Sequence, residues 1–232
     1  MSGIPVRSGV RTHLAWPIAA AFAAVICAIS SPVSAQERAA VDCGAWSSDR
    51  GPFDYNNPAQ RQNEIALVEK YHWDVNVEEL KRGKSSVYVL EDLDFILRYV
   101  PNHHRALNAV ARYELAGSNM TGFYPAECYF RRAVQFKPDD GQTYLVLGIY
   151  RYRKKEYDQA IDAYERAITL MPESPEPHYN LALLHLALGD LARARERATL
   201  AYRLGYPLPG LKRKLRAAGA WSAEDEARTH AQ

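Results

Sequence analysis

The sequence has almost no charge of either sign to spare, with 29 Lys and Arg against 27 Asp and Glu in 232 residues. Two of the basic residues, Arg7 and Arg11, sit in an N-terminal stretch that reads as removable, and without them 27 basic residues face 27 acidic ones. A formally neutral chain gives no reason to expect nucleic acid or an anionic membrane as partner, because both demand clustered Lys and Arg. Cysteine is scarce, three residues in all, and none has around it the ligand spacing of a metal site. Long apolar runs are missing as well. The longest, Leu14 to Ile29, is interrupted by Pro17 and falls short of the roughly 20 residues that span a bilayer. There is no Gly-x-Ser-x-Gly elbow, no His-Glu-x-x-His and no phosphate-cradling glycine loop. The chain does not read as an enzyme, and no cofactor is expected.

What is present is enough for one substantial core: 47% hydrophobic residues with 24% charged ones argue against disorder. Residues 1–35 read as an export signal. Arg7 and Arg11 precede the apolar stretch, and Val33-Ser34-Ala35 offers a small-x-small cleavage site before Gln36. The expected location is therefore periplasmic or secreted, with membrane attachment only if the signal stays uncleaved. A lipoprotein signal at Cys27 would want a small residue where Ile26 stands. Cys27 leaves with the signal, so Cys43 and Cys128 remain as one candidate disulfide pair in an oxidising compartment, the alternative being two separate thiols. Closing so long a loop would contribute about 4 kcal/mol on the chain-entropy account.

Self-comparison reveals a period of 34 residues. With Gly141–Ser174 aligned to Pro175–Leu208, Leu147 falls on Leu181, Gly148 on Ala182, Ala160 on Ala194, Ala167 on Ala201 and Leu170 on Leu204. Residues 141–174 also supply Tyr144, Tyr164 and Pro172. Small residues at such spacing let paired helices approach closely, large ones fill the space between pairs, and Pro ends the second helix. An earlier copy opens with Leu107, Val110 and Ala111 and closes with Ala126, Phe130, Ala133 and Pro138, its turn lengthened by residues 116–123.

These residues resemble the tetratricopeptide-repeat (TPR) superfamily, which implies an all-α helical-repeat superhelix with three helix-turn-helix repeats at 104–140, 141–174 and 175–208. Residues 36–103 would supply a loop and N-terminal capping helices. Within them, Val87 to Val100 and Gln60 to Trp73 each read as a helix, and Asp92 and Asp94 as the solvated face of the first. Residues 209–232 would give a short helix from Leu211 to Ala218 and an exposed tail at Glu224-Asp225-Glu226. The segment Gly51-Pro52-Phe53-Asp54-Tyr55, together with Pro101 to Leu107, is similar to exported TPR proteins of Gram-negative bacteria.

The resemblance also implies a concave groove lined by the first helix of each repeat. On this sequence the inward positions are Arg105, Asn108, Arg112 and Leu115, then Gln142, Leu145, Ile149, Tyr152 and Arg153, then Glu176, Tyr179, Asn180, Leu183 and Leu186. Such a groove, with an Arg end and a Tyr-apolar end, suits a polypeptide segment with an acidic portion and apolar anchors. The family's carboxylate clamp does not transfer, because Arg112, Val146 and Glu176 stand at its positions. The expected role is an interaction module that binds a protein or peptide in the cell envelope as scaffold or assembly factor. One alternative is a structural subunit, in a homo-oligomer or membrane complex, with the groove filled. Another is a metal-dependent factor using His103 and His104, whose side chains point about 100° apart on a helix start and chelate poorly. They read instead as surface residues opening a helix. Cys128 is expected on an outer helix, partly exposed. Arg193, Arg195 and Arg197 read as an exposed stripe, or else as a convex contact for an acidic partner.

Overall fold

A computed structural model describes residues 42–44 and 50–230, so the expected signal segment, its cleavage site and Cys27 lie outside the described residues. Twelve helices and no strand are found among the described residues. Six of them form three antiparallel pairs: α5 (His104–Leu115) with α6 (Ala126–Phe136), α7 (Gly141–Arg153) with α8 (Tyr157–Leu170), and α9 (Pro175–Ala187) with α10 (Leu191–Arg203). Ahead of them run α1 (Pro58–Gln62), α2 (Glu64–His72), α3 (Val75–Glu78) and α4 (Val89–Tyr99), and behind them α11 (Gly210–Ala217) and α12 (Ala223–His230). Among the described residues no helix is long and apolar enough to cross a membrane.

The 34-residue period has a direct packing cause. In the second pair, a Cβ added to Gly148 would lie 2.5 Å from two ring atoms of Tyr164, a fully buried residue. In the third pair the corresponding positions are Ala182 and Ala198, both buried in one cluster. A large ring therefore faces glycine, and a small side chain faces alanine, so that each pair keeps the same close approach. The long turn of the first pair is held by Glu114. One carboxylate oxygen accepts the N–H of Ala126 at 2.7 Å, capping α6, which has no side-chain cap of its own, and the other accepts the Tyr150 hydroxyl at 2.5 Å. That bond also ties the first pair to the second.

Several expectations for the flanks need correction. Gln60 to Trp73 is two helices, because Asn63 turns its amide back onto the Ala59 carbonyl at 2.8 Å and leaves helical geometry. Asp92 is 1% exposed rather than solvated. The loop before α4 folds over it, and its carboxylate accepts the N–H of Lys84 at 2.6 Å and bonds His72 Nδ1 at 2.7 Å. Asp94 accepts the Tyr129 hydroxyl at 2.7 Å. Glu224-Asp225-Glu226 is no tail: it opens α12, where Asp225 caps the helix through Ser222 and Glu226 accepts from Lys212 and the Trp221 indole. Those donors hold the Glu226 carboxyl down at about 2. Cys128 is fully buried instead of partly exposed, and its Cα lies 5.3 Å from that of Cys43. Arg132 donates to the Cys43 carbonyl at 2.7 Å and fixes the same segment.

The Gly148 contact sets two effects against each other. Gly148→Ala gains about 1 kcal/mol of helix propensity but overpacks a rigid ring for about 1–3 kcal/mol. We expect the melting temperature to fall by about 3 °C or more, measured by circular dichroism. A rise would show that the Tyr164 ring gives way.

Candidate functional site

The inner helices α5, α7 and α9 enclose a cleft of about 400 Å³. Arg105 and Asn108 from α5, Gln142, Leu145, Ile149 and Arg153 from α7, and Asn180 from α9 all line it, as their inward positions imply. His104, Val146, Glu176 and Tyr206 complete the lining. The floor is aliphatic and the walls carry three carboxamides. An amide side chain both donates and accepts, as a peptide unit does, so this lining matches extended backbone.

The arginine end is not open. Glu78, at the end of α3, forks the Arg105 guanidinium, accepting Nε at 2.9 Å and also the terminal nitrogen. The Glu78 carbonyl accepts from Arg112, whose Nε is buried without a partner, and the Trp73 ring lies 5.3 Å from the Arg105 guanidinium carbon. Hydrogen bonding to Arg105 holds the Glu78 carboxyl below its usual range, so the pair is ionised and mutually neutralised. Arg112 therefore stands outside the open cleft. At the other end Tyr179 stacks on Tyr206 with centroids 3.9 Å apart, and Leu183 and Leu186 pack into the cluster of α10 and α11. Tyr152 packs beside Tyr157, and Leu115 sits at the exposed end of α5. The groove expected over three repeats is thus reduced to its middle, where Arg153 and Glu176 form no ion pair among the described residues.

Beneath the cleft lies a polar junction that the sequence reading passed over. Asp140 caps α7 through the N–H of Gln142 and the Thr143 hydroxyl, and it also accepts Asn102 Nδ2 at 3.0 Å and bonds His104 Nε2 at 2.7 Å. Burial opposes the charge of Asp140, yet the His104, Asn102 and Thr143 bonds hold its carboxyl far below the usual range. Asn102 passes the network on, donating to Asp54 and accepting the Tyr55 N–H at 2.9 Å. An aspartate directly before the first residue of a repeat is a cap signal that could have found it.

His103 is fully buried and not a surface residue. Its Nδ1 accepts the Ala106 N–H at 3.1 Å and its Nε2 faces Glu69 at 3.0 Å. A nitrogen that accepts carries no proton, so the ring is neutral, in keeping with the downward shift that burial imposes. His103 and His104 thus serve two separate carboxylates. Among the described residues no group of three His, Cys, Asp or Glu is arranged to hold a metal ion.

A family model described as TPR repeat matches residues 148–189, from within α7 to the end of α9. Over this stretch the helices match the tetratricopeptide repeat, and the all-α array of helix pairs is consistent with that superfamily. Over 99 residues the chain is also 34% identical to the probable biofilm formation methyltransferase WspC of Pseudomonas putida strain KT2440, a match that covers 43% of this chain and 22% of that protein. The chain thus matches about a fifth of its relative's length. An array of TPR units is an interaction module, and its inner face is where the cleft lies.

Asp140 offers a test of the junction. Its folded pKa lies below the unfolded value of about 3.9, so its stabilisation is complete above about pH 4 and is lost as pH falls further. Asp140→Asn should cost at least about 2 kcal/mol at neutral pH and weaken the acid-induced loss of stability below about pH 4. Urea titrations at neutral and acid pH check both effects.

Proposed function

We propose that the protein works outside the cytoplasm, in the cell envelope or beyond it, as a scaffold or assembly factor that holds a polypeptide segment of a partner in the middle of its TPR groove. The observation that carries this reading is the cleft itself. Three carboxamides, Asn108, Gln142 and Asn180, stand around an aliphatic floor of Leu145, Val146 and Ile149, with Arg153 exposed at one side. Carboxamides satisfy the backbone of an extended segment, the floor receives an apolar side chain, and Arg153 favours a carboxylate beside it.

The same proposal includes export and a Cys43–Cys128 bridge. Such a bridge holds Cys43 onto α6, an outer helix, apart from the residues that line the cleft.

The decisive experiment is chemical crosslinking and co-purification of the exported protein, comparing wild type with Ile149→Trp/Arg153→Glu and with Lys70→Glu/Arg82→Glu, a pair outside the cleft. We expect partners captured by wild type to be retained by the second variant and lost, by about tenfold or more, from the first. An unchanged set in the cleft variant overturns the groove. Intact mass of the exported protein should begin at Gln36, and alkylation before and after reduction should reveal two thiols only after reduction.

A further inference from the structure

The neutral total conceals a lopsided distribution. From Leu191 to Thr229 the chain holds nine basic residues against four acidic ones. We propose that the outer face of the third repeat is a second docking site, independent of the groove, for an acidic polypeptide segment read by the arginines of α10 and α12.

The geometry is a cleft of about 510 Å³ between the outer side of α10 and α12. Arg193, Arg195 and Arg203 come from α10 and Arg228 from α12, with Glu196 and Asp225 as the acidic lining. Internal pairing leaves Arg195 and Arg203 without a close ion pair among the described residues. Arg195 stands 4.0 Å from the Asp225 carboxylate, Arg228 stands 4.0 Å from the same carboxylate and is held by Glu224 at 2.5 Å, and Arg203 forms no ion pair among the described residues. Arg193 is held by Asp190 at 2.5 Å. The guanidinium groups are exposed and keep donors to offer.

The chemistry of the lining selects among anionic partners. No aromatic ring lines the cleft, so a nucleic-acid strand finds nothing on which to stack its bases. The apolar lining is only Ala192 and Leu200, which gives a bilayer no large anchor. Four arginines and no lysine suit planar carboxylates, which a guanidinium forks. From Ala192 to Arg203 the cleft follows α10 for about 16 Å, the length of about five residues of extended chain. A run of Asp and Glu in a partner's loop or tail fits that span and the charge.

The test uses the purified protein and fluorescein-labelled hexaglutamate at low salt. Binding should weaken as salt rises, and Arg195→Glu/Arg203→Glu should reduce it by about tenfold or more. Lys70→Glu/Arg82→Glu, with the same change in net charge, should reduce it by no more than about twofold. Circular dichroism of both variants establishes that the exposed substitutions leave the helices intact. Equal losses in the two variants, absence of hexaglutamate binding, or binding of phosphatidylglycerol vesicles without binding of hexaglutamate would each overturn the proposal. Ile149→Trp/Arg153→Glu should bind hexaglutamate as wild type does, and a loss there would reassign the probe to the groove.

Discussion

The carboxylate of Asp140 is the point on which the assembly turns. It starts α7, holds His104 at the start of α5, and through Asn102 fixes Asp54 and Tyr55 of the N-terminal loop. Two chain segments far apart in sequence therefore meet on its two oxygens, and Asn102 ties a third to them. A TPR array needs such a junction because each unit buries its apolar face only against neighbours, and three units are near the minimum that stand together. The first unit here is the irregular one, with its lengthened turn, and it is braced from both sides. Glu114 joins it to Tyr150 behind, and the Asn102 network joins it to the N-terminal helices ahead.

The braces also decide how much groove remains. A helix placed ahead of the first repeat must satisfy the inward-facing arginines of α5 or leave them solvated. This chain does the former, through Glu78 on Arg105 and Arg112. At the far end the stack of Tyr179 on Tyr206 and the packing of α11 shield the last inner helix. The open part is centred on α7, and its character follows from what lies between: carboxamides, aliphatics and one uncommitted arginine. The basic character expected at one end is cancelled by a residue of the chain itself.

The repeats were legible because their packing rule is local and periodic. Gly148 must be small because Tyr164 is large, and a spacing of 34 residues repeats that constraint in visible form. The flanks lack that periodicity. Asp92 sits on the polar side of an amphipathic pattern and reads as solvated, and only the loop that returns over it, carrying Lys84, buries it. His103 reads as a surface residue because the residues that enclose it, Trp73 and Tyr55, come from segments of no recognisable register. Of the inward positions, most of those around α7 line the cleft, and Arg112, Leu115, Leu183 and Leu186 at either end do not. What covers Arg105 and Arg112 was not legible, since Glu78 precedes them by 27 and 34 residues in a non-repeating segment.

Net charge failed as a guide for a related reason. It is a sum over the whole chain, whereas a partner meets a surface within about a Debye length of 8–10 Å. The arginines of α10 were visible in the sequence as a stripe on a helix, and a stripe alone is as well explained by solvation. Their meaning changes once α12 is seen to lie beside them as a helix rather than trailing away as an acidic tail. Two of the three acidic residues at its start are then spent on capping and on Lys212, Arg216 and Trp221. Asp225 and Glu226 are thus committed within the fold, Glu224 pairs with Arg228, and Arg195 and Arg203 keep their field. The inner and outer faces of the array thus differ in kind, one reading backbone and shape over a short span, the other reading charge and giving way to salt.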